Sequence, residues 1–159
     1  MDVSTRKVEI GGIATKPDGS WMVQMARNLT DAVDGLFRGK RYLIHDRDPL
    51  YTDEFLSMLA EAGIASVKLP PRTPNLNAYA ERFVRTIKED CLDRMILFGE
   101  QSLRNSVQQF SAHYHFERNH QGLGNRIITP HQMIGHTTGT IRRRQRLGGL
   151  LSYYYREAA

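Results

Sequence analysis

Two carboxylates and two bases stand at spacings that suit metal-dependent chemistry on a phosphate backbone. Asp46 lies just beyond the short apolar run 42–44, and Glu81 lies 35 residues further on, near the start of a predicted helix. Arg85 and Lys88 follow Glu81 by four and seven positions, which places the three side chains on one side of that helix. Carboxylates from a strand end and a helix can share one divalent cation, and neighbouring bases suit a polyanion. The residues therefore indicate metal-dependent phosphoryl chemistry on nucleic acid.

Each of these residues also has a purely structural interpretation, and both interpretations stay open. Asp46 stands in a turn-like segment that ends at Pro49, where an aspartate often caps the turn. Asp48 shares the argument for Asp46 but lies further from the strand end. Glu81 could serve only to complement the helix dipole, and Arg85 could form an ion pair with it one turn away.

The remaining chemically capable residues give weaker signals. The three histidines His113, His115 and His120 lack the spacing of a zinc ligand set, and Cys91 is the only cysteine, so we predict no zinc site. We interpret Trp21 and the tyrosines at 153–155 as packing residues rather than base-stacking platforms. The basic run 142–146 is either a solvated face or a phosphate contact.

The elements that must position these residues are predicted from periodicity and turn signals. Strands are predicted at 3–13, 21–25, 41–45 and 64–69, and helices at about 28–39, 52–63, 77–92 and 102–117. Phe83, Val84 and Ile87 form the predicted buried stripe of the third helix. From Asn119 onward the chain is polar and glycine-rich, which predicts a mobile or DNA-bound segment. This order predicts an α/β fold, a mixed sheet with helices on its faces.

Composition narrows the partner and the compartment. The chain has 159 residues, 40% of them hydrophobic, and a net charge of +5, which favours nucleic acid or another anionic partner. A single cysteine excludes an intrachain disulfide and fits a reducing cytoplasm. No apolar run is long enough to cross a bilayer and no signal-peptide core is present, so we expect a cytoplasmic protein without a membrane partner.

Several motifs together resemble the catalytic core of integrases and insertion-sequence transposases of the DDE type. The resemblance covers residues 3–130, and its motifs are Ile44-His45-Asp46-Arg47-Asp48, the loop 70–75, the helix segment 77–88, His113-Tyr114, the segment 118–123 and Thr129-Pro130. It implies a ribonuclease H-like core at 1–130, followed by a basic C-terminal tail at 131–159.

The resemblance also implies a reaction and a partner. Family members use three acids to hold two Mg²⁺ or Mn²⁺ ions, and they cut DNA and join it at a new site by strand transfer. By motif, Asp46 resembles the second acid and Glu81 the third. Double-stranded DNA, both element ends and target, is the implied partner, and Arg85 and Lys88 resemble the helix bases that contact donor DNA ends. We also predict DNA contacts at Arg72, Asn77, Arg82, Arg142, Arg143 and Arg144.

The family's first aspartate has no counterpart, because its strand would precede Val3 and the chain starts at Met1. Asp2 falls in the second strand by motif, so it does not replace that acid. We therefore expect a core that is truncated at its N-terminus, lacks the first strand and is inactive or nearly so alone. The alternatives are a non-catalytic DNA-binding remnant or regulator of a full-length transposase, and a ribonuclease of the same fold. A homo-oligomer or co-assembly with a full-length transposase stays open.

Overall fold

The structure, a computed structural model, describes residues 1–130 and 138–157, except for the side chains of Pro74 and Asn75. Within these residues the helices are α1 (Gly19–Leu29), α2 (Asp53–Glu61), α3 (Ala78–Asp90) and α4 (Gly99–Phe116). The strands are β1 (Tyr42–His45), β2 (Ala65–Lys68), β3 (Ile141–Arg146) and β4 (Leu151–Arg156). Short 3-10 turns lie at Pro74–Asn77, Leu92–Arg94, Gln121–Leu123 and Leu147–Gly149. This mixture of helices and small sheets confirms the predicted α/β class.

The chain forms two compact units, Glu9–Ala78 and Met1–Val8 together with Tyr79–Ala159. Compact units need not coincide with family domains, so the division into a core at 1–130 and a tail at 131–159 stays a prediction. The described strands pair as two separate sheets of two strands each, β1 with β2 and β3 with β4. A ribonuclease H-like arrangement also stays a prediction. Within the described residues, no helix combines the length and apolar character that crossing a membrane requires.

In the unit Glu9–Ala78, capped helices pack on a parallel strand pair. The Asp18 carboxylate accepts a hydrogen bond from the Trp21 amide at 2.8 Å and begins α1, and the Thr52 hydroxyl accepts one from the Phe55 amide at 3.3 Å and begins α2. The strands β1 and β2 run parallel, with Tyr42 beside Ala65. The core consists of Ala26, Phe55, Leu59 and Ile64, all buried.

In the other unit, α3 and α4 share an aromatic core. Phe83 of α3 meets Tyr114 of α4 edge-on with ring centroids 5.0 Å apart, and Phe110 of α4 is fully buried beside them. Ile87 and Cys91 complete the contact from the α3 side. Such a pair of amphipathic helices buries one face of each and leaves the other to solvent.

The hairpin of β3 and β4 is held against α4 by a buried charge. The Glu117 side chain, 1% exposed, lies 2.7 Å from the Arg146 guanidinium and 3.3 Å from that of Arg144. Its other oxygen lies 3.0 Å from His113 Nδ1. Burial would raise the pKa of Glu117, but the hydrogen bonds from Arg146 and His113 and the arginine charge lower that pKa from 4.5 to about 2. Glu117 therefore stays ionised at neutral pH.

Three sequence-based predictions about elements are wrong, at 3–13, 21–25 and 28–39, and the tail is ordered where the structure describes it. Residues 3–13 contain a turn, with the Asp2 carboxylate accepting from the Ser4 and Thr5 amides, and 21–25 belong to α1 rather than to a strand. The predicted helix at 28–39 is a series of turns, in which a side chain at Gly35 would collide with the Asp31 backbone at 2.6 Å. The described part of the tail forms an ordered hairpin, whereas residues 131–137 lie outside the described residues.

The buried Glu117 generates a pH-dependent prediction. Because its pKa is lowered on folding, its contribution to stability is present above pH 4.5 and is lost as the pH falls toward 2. A fall from 4.5 to about 2 corresponds to about 3 kcal/mol, at about 1.4 kcal/mol per pH unit. Glu117→Gln should lose about this much unfolding free energy at pH 6.5. Urea unfolding and amide hydrogen exchange of β3 and β4 measure it.

The loss should shrink as the pH is lowered to 3, because the Glu117 carboxyl group of the unfolded chain, with a pKa of 4.5, is then protonated and must lose its proton on folding, whereas the folded carboxylate, with a pKa of about 2, stays mostly ionised. Glu157→Gln is the matched control, since Glu157 pairs with Arg142 at an exposed position and should change stability by less than about 1 kcal/mol. A loss of equal size at pH 6.5 and pH 3 would contradict the ionic role of Glu117.

Candidate functional site

Asp46 lies immediately after β1, in a loop that a hydrogen bond from Arg47 connects to the end of β2. Its Oδ1 accepts a hydrogen bond from the Asp48 amide at 3.1 Å, and the Arg47 side chain donates to the Leu69 carbonyl at 3.1 Å. Asp48 is engaged in the next turn, where its Oδ1 accepts from the Leu50 amide. The turn interpretation of Asp46 therefore accounts for Oδ1, while Oδ2 of this exposed carboxylate has no hydrogen-bond partner among the described residues.

The loop after β1 carries two carboxylates, Asp46 and Asp48, on either side of Arg47. Burial, followed by the charges of Asp46 and Asp48, raises the pKa of the Tyr51 hydroxyl. The charge of two carboxylates is thus felt at a half-buried phenol in the same unit. Such a place attracts a cation.

Glu81 lies in the first turn of α3, and its side chain is exposed. Among the described residues it forms no hydrogen bond or ion pair, so the ion pair with Arg85 that the structural interpretation requires is absent there. Arg85 and Lys88 are exposed as well. The helix therefore presents one carboxylate and two cations to solvent on one face, with their charges available to a ligand.

The buried stripe of α3 is narrower than the sequence predicted. Phe83 and Ile87 are buried, as predicted, whereas Val84 is 47% exposed. The helix carries its apolar side chains toward α4 with a spacing of four residues, and Val84 falls beyond the edge of that stripe. The solvent-facing side of α3 therefore includes Val84.

The other predicted DNA-contacting residues differ in their exposure and in whether they form ion pairs. Arg72 is exposed and has a left-handed backbone with φ of 58°, and Arg82 is exposed on α3. Asn77 is half-buried at the end of a 3-10 turn. In the hairpin, Arg142 pairs with Glu157 at 2.8 Å and Arg144 with Glu117.

The predicted residues are divided between the two units. Asp46, Arg72 and Asn77 belong to Glu9–Ala78, and Glu81 belongs to the other unit together with Arg82, Arg85, Lys88 and the hairpin arginines. The pairing of Asp46 with Glu81 at one ion therefore stays a prediction. Among residues 1–130 and 138–157, no group of three or more histidine, cysteine, aspartate or glutamate side chains could hold a metal ion.

The histidines His113, His115 and His120 each form a hydrogen bond within their unit. His115 Nε2 accepts from the Val8 amide at 2.9 Å, and His120 Nε2 lies 2.8 Å from the Tyr114 carbonyl. Burial lowers the pKa of both, which favours neutral rings. His113 contacts Glu117. Sequence reasoning missed the structural role of Glu117. The only signals were its place one turn after His113 and 27 residues before Arg144, and both are weak.

Comparison with known families adds an independent finding. Residues 62–136 match the integrase core domain family, a segment that contains all of α3 and α4. No curated protein and no solved structure matches the chain. The match includes Glu81, Arg85 and Lys88 and therefore the face of α3 described above. Over residues 62–136 the chain is therefore similar to the integrase core domain family, and this match supports a catalytic core of the integrase and transposase type.

Proposed function

We propose that this chain acts in DNA integration or transposition, with Asp46 and Glu81 as ligands of Mg²⁺ or Mn²⁺ and with the bases of α3 holding DNA phosphates. The observation that carries the proposal is the exposed Glu81, which has no ion-pair partner among the described residues, beside Arg85 and Lys88 on a helix inside the segment that matches integrase cores. A carboxylate needed only for helix stability would gain from pairing with Arg85, one turn away.

The available donor atoms fit a hard divalent cation. Carboxylate oxygens are preferred ligands of Mg²⁺ and Mn²⁺, and both Asp46 Oδ2 and the Glu81 carboxylate lack a hydrogen-bond partner among the described residues. The pairing of the two acids rests on their places in the family motif. A bound divalent ion would supply Lewis-acid activation of an attacking water or DNA 3′-hydroxyl and stabilise the leaving oxygen.

The cationic residues would bind and orient the DNA. Arg82, Arg85 and Lys88 project from α3 into solvent, where each can replace condensed counterions on phosphates. Arg72 lies in the loop 70–75, and Asn77 ends the 3-10 turn that leads into α3. We propose that both contact the DNA strand that the α3 bases hold. Backbone contacts of this kind set the register of the DNA without reading its sequence.

We further propose that the core has a ribonuclease H-like arrangement whose metal site needs a third carboxylate. The chain alone should therefore support little strand transfer. The motif supplies Asp46 and Glu81, and two acids are too few to hold two metal ions at the separation of about 4 Å that the chemistry needs. A second candidate function is metal-independent DNA binding that regulates a complete transposase. The exposed bases of α3 favour it, because they need no metal to hold phosphates.

The role of the α3 bases can be measured by binding to a labelled DNA duplex. Arg85→Gln and Lys88→Gln should each weaken the affinity and lower the slope of log affinity against log salt by about 1, because each removes one phosphate contact. Lys16→Gln is the charge-matched control, from an exposed turn of the other unit. Equal losses in all three variants would show a general charge effect and contradict a specific phosphate-binding face.

The role of Glu81 can be measured as a difference between metal and chelator. In EDTA, Glu81→Gln should bind duplex DNA at least as tightly as the wild type, because a negative charge beside the phosphates is removed. In Mn²⁺ the wild type should gain affinity and the variant should not. Glu89→Gln, an exposed glutamate further along α3, should behave as the wild type.

A nicking assay on supercoiled plasmid completes this experiment. The wild-type chain in Mn²⁺ should nick at or near background, and robust nicking that Glu81→Gln abolishes would overturn the proposed inactivity. Binding that responds to neither Mn²⁺ nor Glu81→Gln would contradict the metal-ligand role and support the regulatory alternative.

A further inference from the structure

The hairpin of β3 and β4 has two chemically different faces. In the antiparallel register Arg144 lies beside Tyr153 and Arg143 beside Tyr154. Side chains alternate between the two faces along a strand. The inner face is the one that carries Arg144 and Arg146, which bind Glu117, and the residues between them in sequence lie on the outer face. Burial follows the same alternation, since Leu151 is buried in the core. We define the outer face as Ile141, Arg143, Gln145, Ser152, Tyr154 and Arg156.

Among residues 1–130 and 138–157, acidic partners neutralise the arginines of the inner face, whereas those of the outer face have none. Arg144 and Arg146 bind Glu117, and Arg142 pairs with Glu157. On the outer face, Arg143 donates to the Ser152 hydroxyl at 2.9 Å, and Arg156 donates to the Gly139 carbonyl at 2.9 Å. Both acceptors are neutral, so these two guanidinium groups keep their full charge at the surface.

An exposed aromatic ring lies between these two charges. Tyr154 is directly opposite Arg143 and two residues before Arg156 on the same face, and it is 62% exposed. The Arg143 guanidinium lies 5.8 Å from its ring centroid. The rings of Tyr153 and Tyr155, by contrast, stack on each other at 5.9 Å. Tyr154 is exposed whereas Tyr153 and Tyr155 are half-buried, so the interpretation of 153–155 as packing residues is wrong for Tyr154.

We propose that this outer face binds single-stranded DNA, with an unpaired base on Tyr154 and phosphates at Arg143 and Arg156. An exposed aromatic ring flanked by cations is the combination that stacks a base and holds its backbone. Tyr154 and Arg156 are two residues apart on β4, about 6.6 Å along the strand. Arg143 lies opposite Tyr154 on β3, so the three contacts extend over both strands of the hairpin. A duplex offers no free base face to the ring, which is why single-stranded DNA is the fitting ligand.

This surface extends the DNA contacts beyond the α3 face. In this proposal Arg143 contacts the DNA, whereas Arg142 and Arg144 form ion pairs with glutamates. The role of each arginine in the basic run therefore depends on the face of the hairpin on which it lies. The binding needs neither Asp46 nor Glu81. It can therefore succeed or fail independently of the proposed metal site.

The test is fluorescence anisotropy of the full chain in EDTA with a labelled oligothymidylate, a duplex of equal length and an oligouridylate. Tyr154→Ala should weaken binding of the oligothymidylate by about 5- to 150-fold, and Tyr154→Phe should keep it. Arg143→Gln should lower the salt slope by about 0.7. Since all these side chains are exposed, the variants should keep the circular dichroism of the wild type.

Tyr42→Ala is the matched control, because Tyr42 is 60% exposed and has the Arg41 guanidinium 5.6 Å from its ring centroid, in the other unit. It should leave oligothymidylate binding unchanged. Equal binding by Tyr154→Ala and wild type, or an equal loss in Tyr42→Ala, would overturn the proposal. Tighter binding of the duplex or of the oligouridylate through Tyr154 would overturn the assignment to single-stranded DNA.

Discussion

The packing of α3 on α4 is the contact on which the account of this chain depends. Phe83 and Ile87 project from one side of α3 into a core that Phe110 and Tyr114 of α4 provide. Aromatic side chains of this size bury large apolar areas, so the rotation of α3 about its axis is fixed. The opposite side of the helix, with Glu81, is consequently held in solvent. The apolar stripe thus determines which charges can meet a ligand.

A second constraint is the buried carboxylate of Glu117. An ionised group in this environment must be compensated, and it takes its partners from β3, which fixes the hairpin on α4. Arg144 and Arg146 are thereby committed to structure, although they stand in a basic run that resembles a nucleic-acid contact. The same docking turns Arg143 and Tyr154 outward. A single buried charge therefore divides neighbouring arginines into a set that binds Glu117 and a set that faces solvent.

The sequence predicted the elements whose local signals agree with one another. The helix α2 has a capping threonine and an apolar stripe, and β1 contains the apolar run 42–44. The strand β2 lies within the predicted strand 64–69. The segment 21–25 was misread because five residues cannot distinguish the two periods, and Asp18 as a helix cap decided the outcome. The hairpin could not be predicted from composition, because its stability comes from Glu117 and Leu151, contacts with distant parts of the sequence.

For the candidate site, the sequence predicted the exposed polar face of α3, and the family match supports its importance. The relation of Asp46 to Glu81 is the central claim, and a double-mutant cycle on Mn²⁺ affinity tests it most directly. The affinities of wild type, Asp46→Asn, Glu81→Gln and the double variant would be measured by calorimetry without DNA. If both acids bind one ion, the effects are non-additive and the double variant loses little more than either single one. Full additivity, or no effect of either substitution, would contradict the shared site.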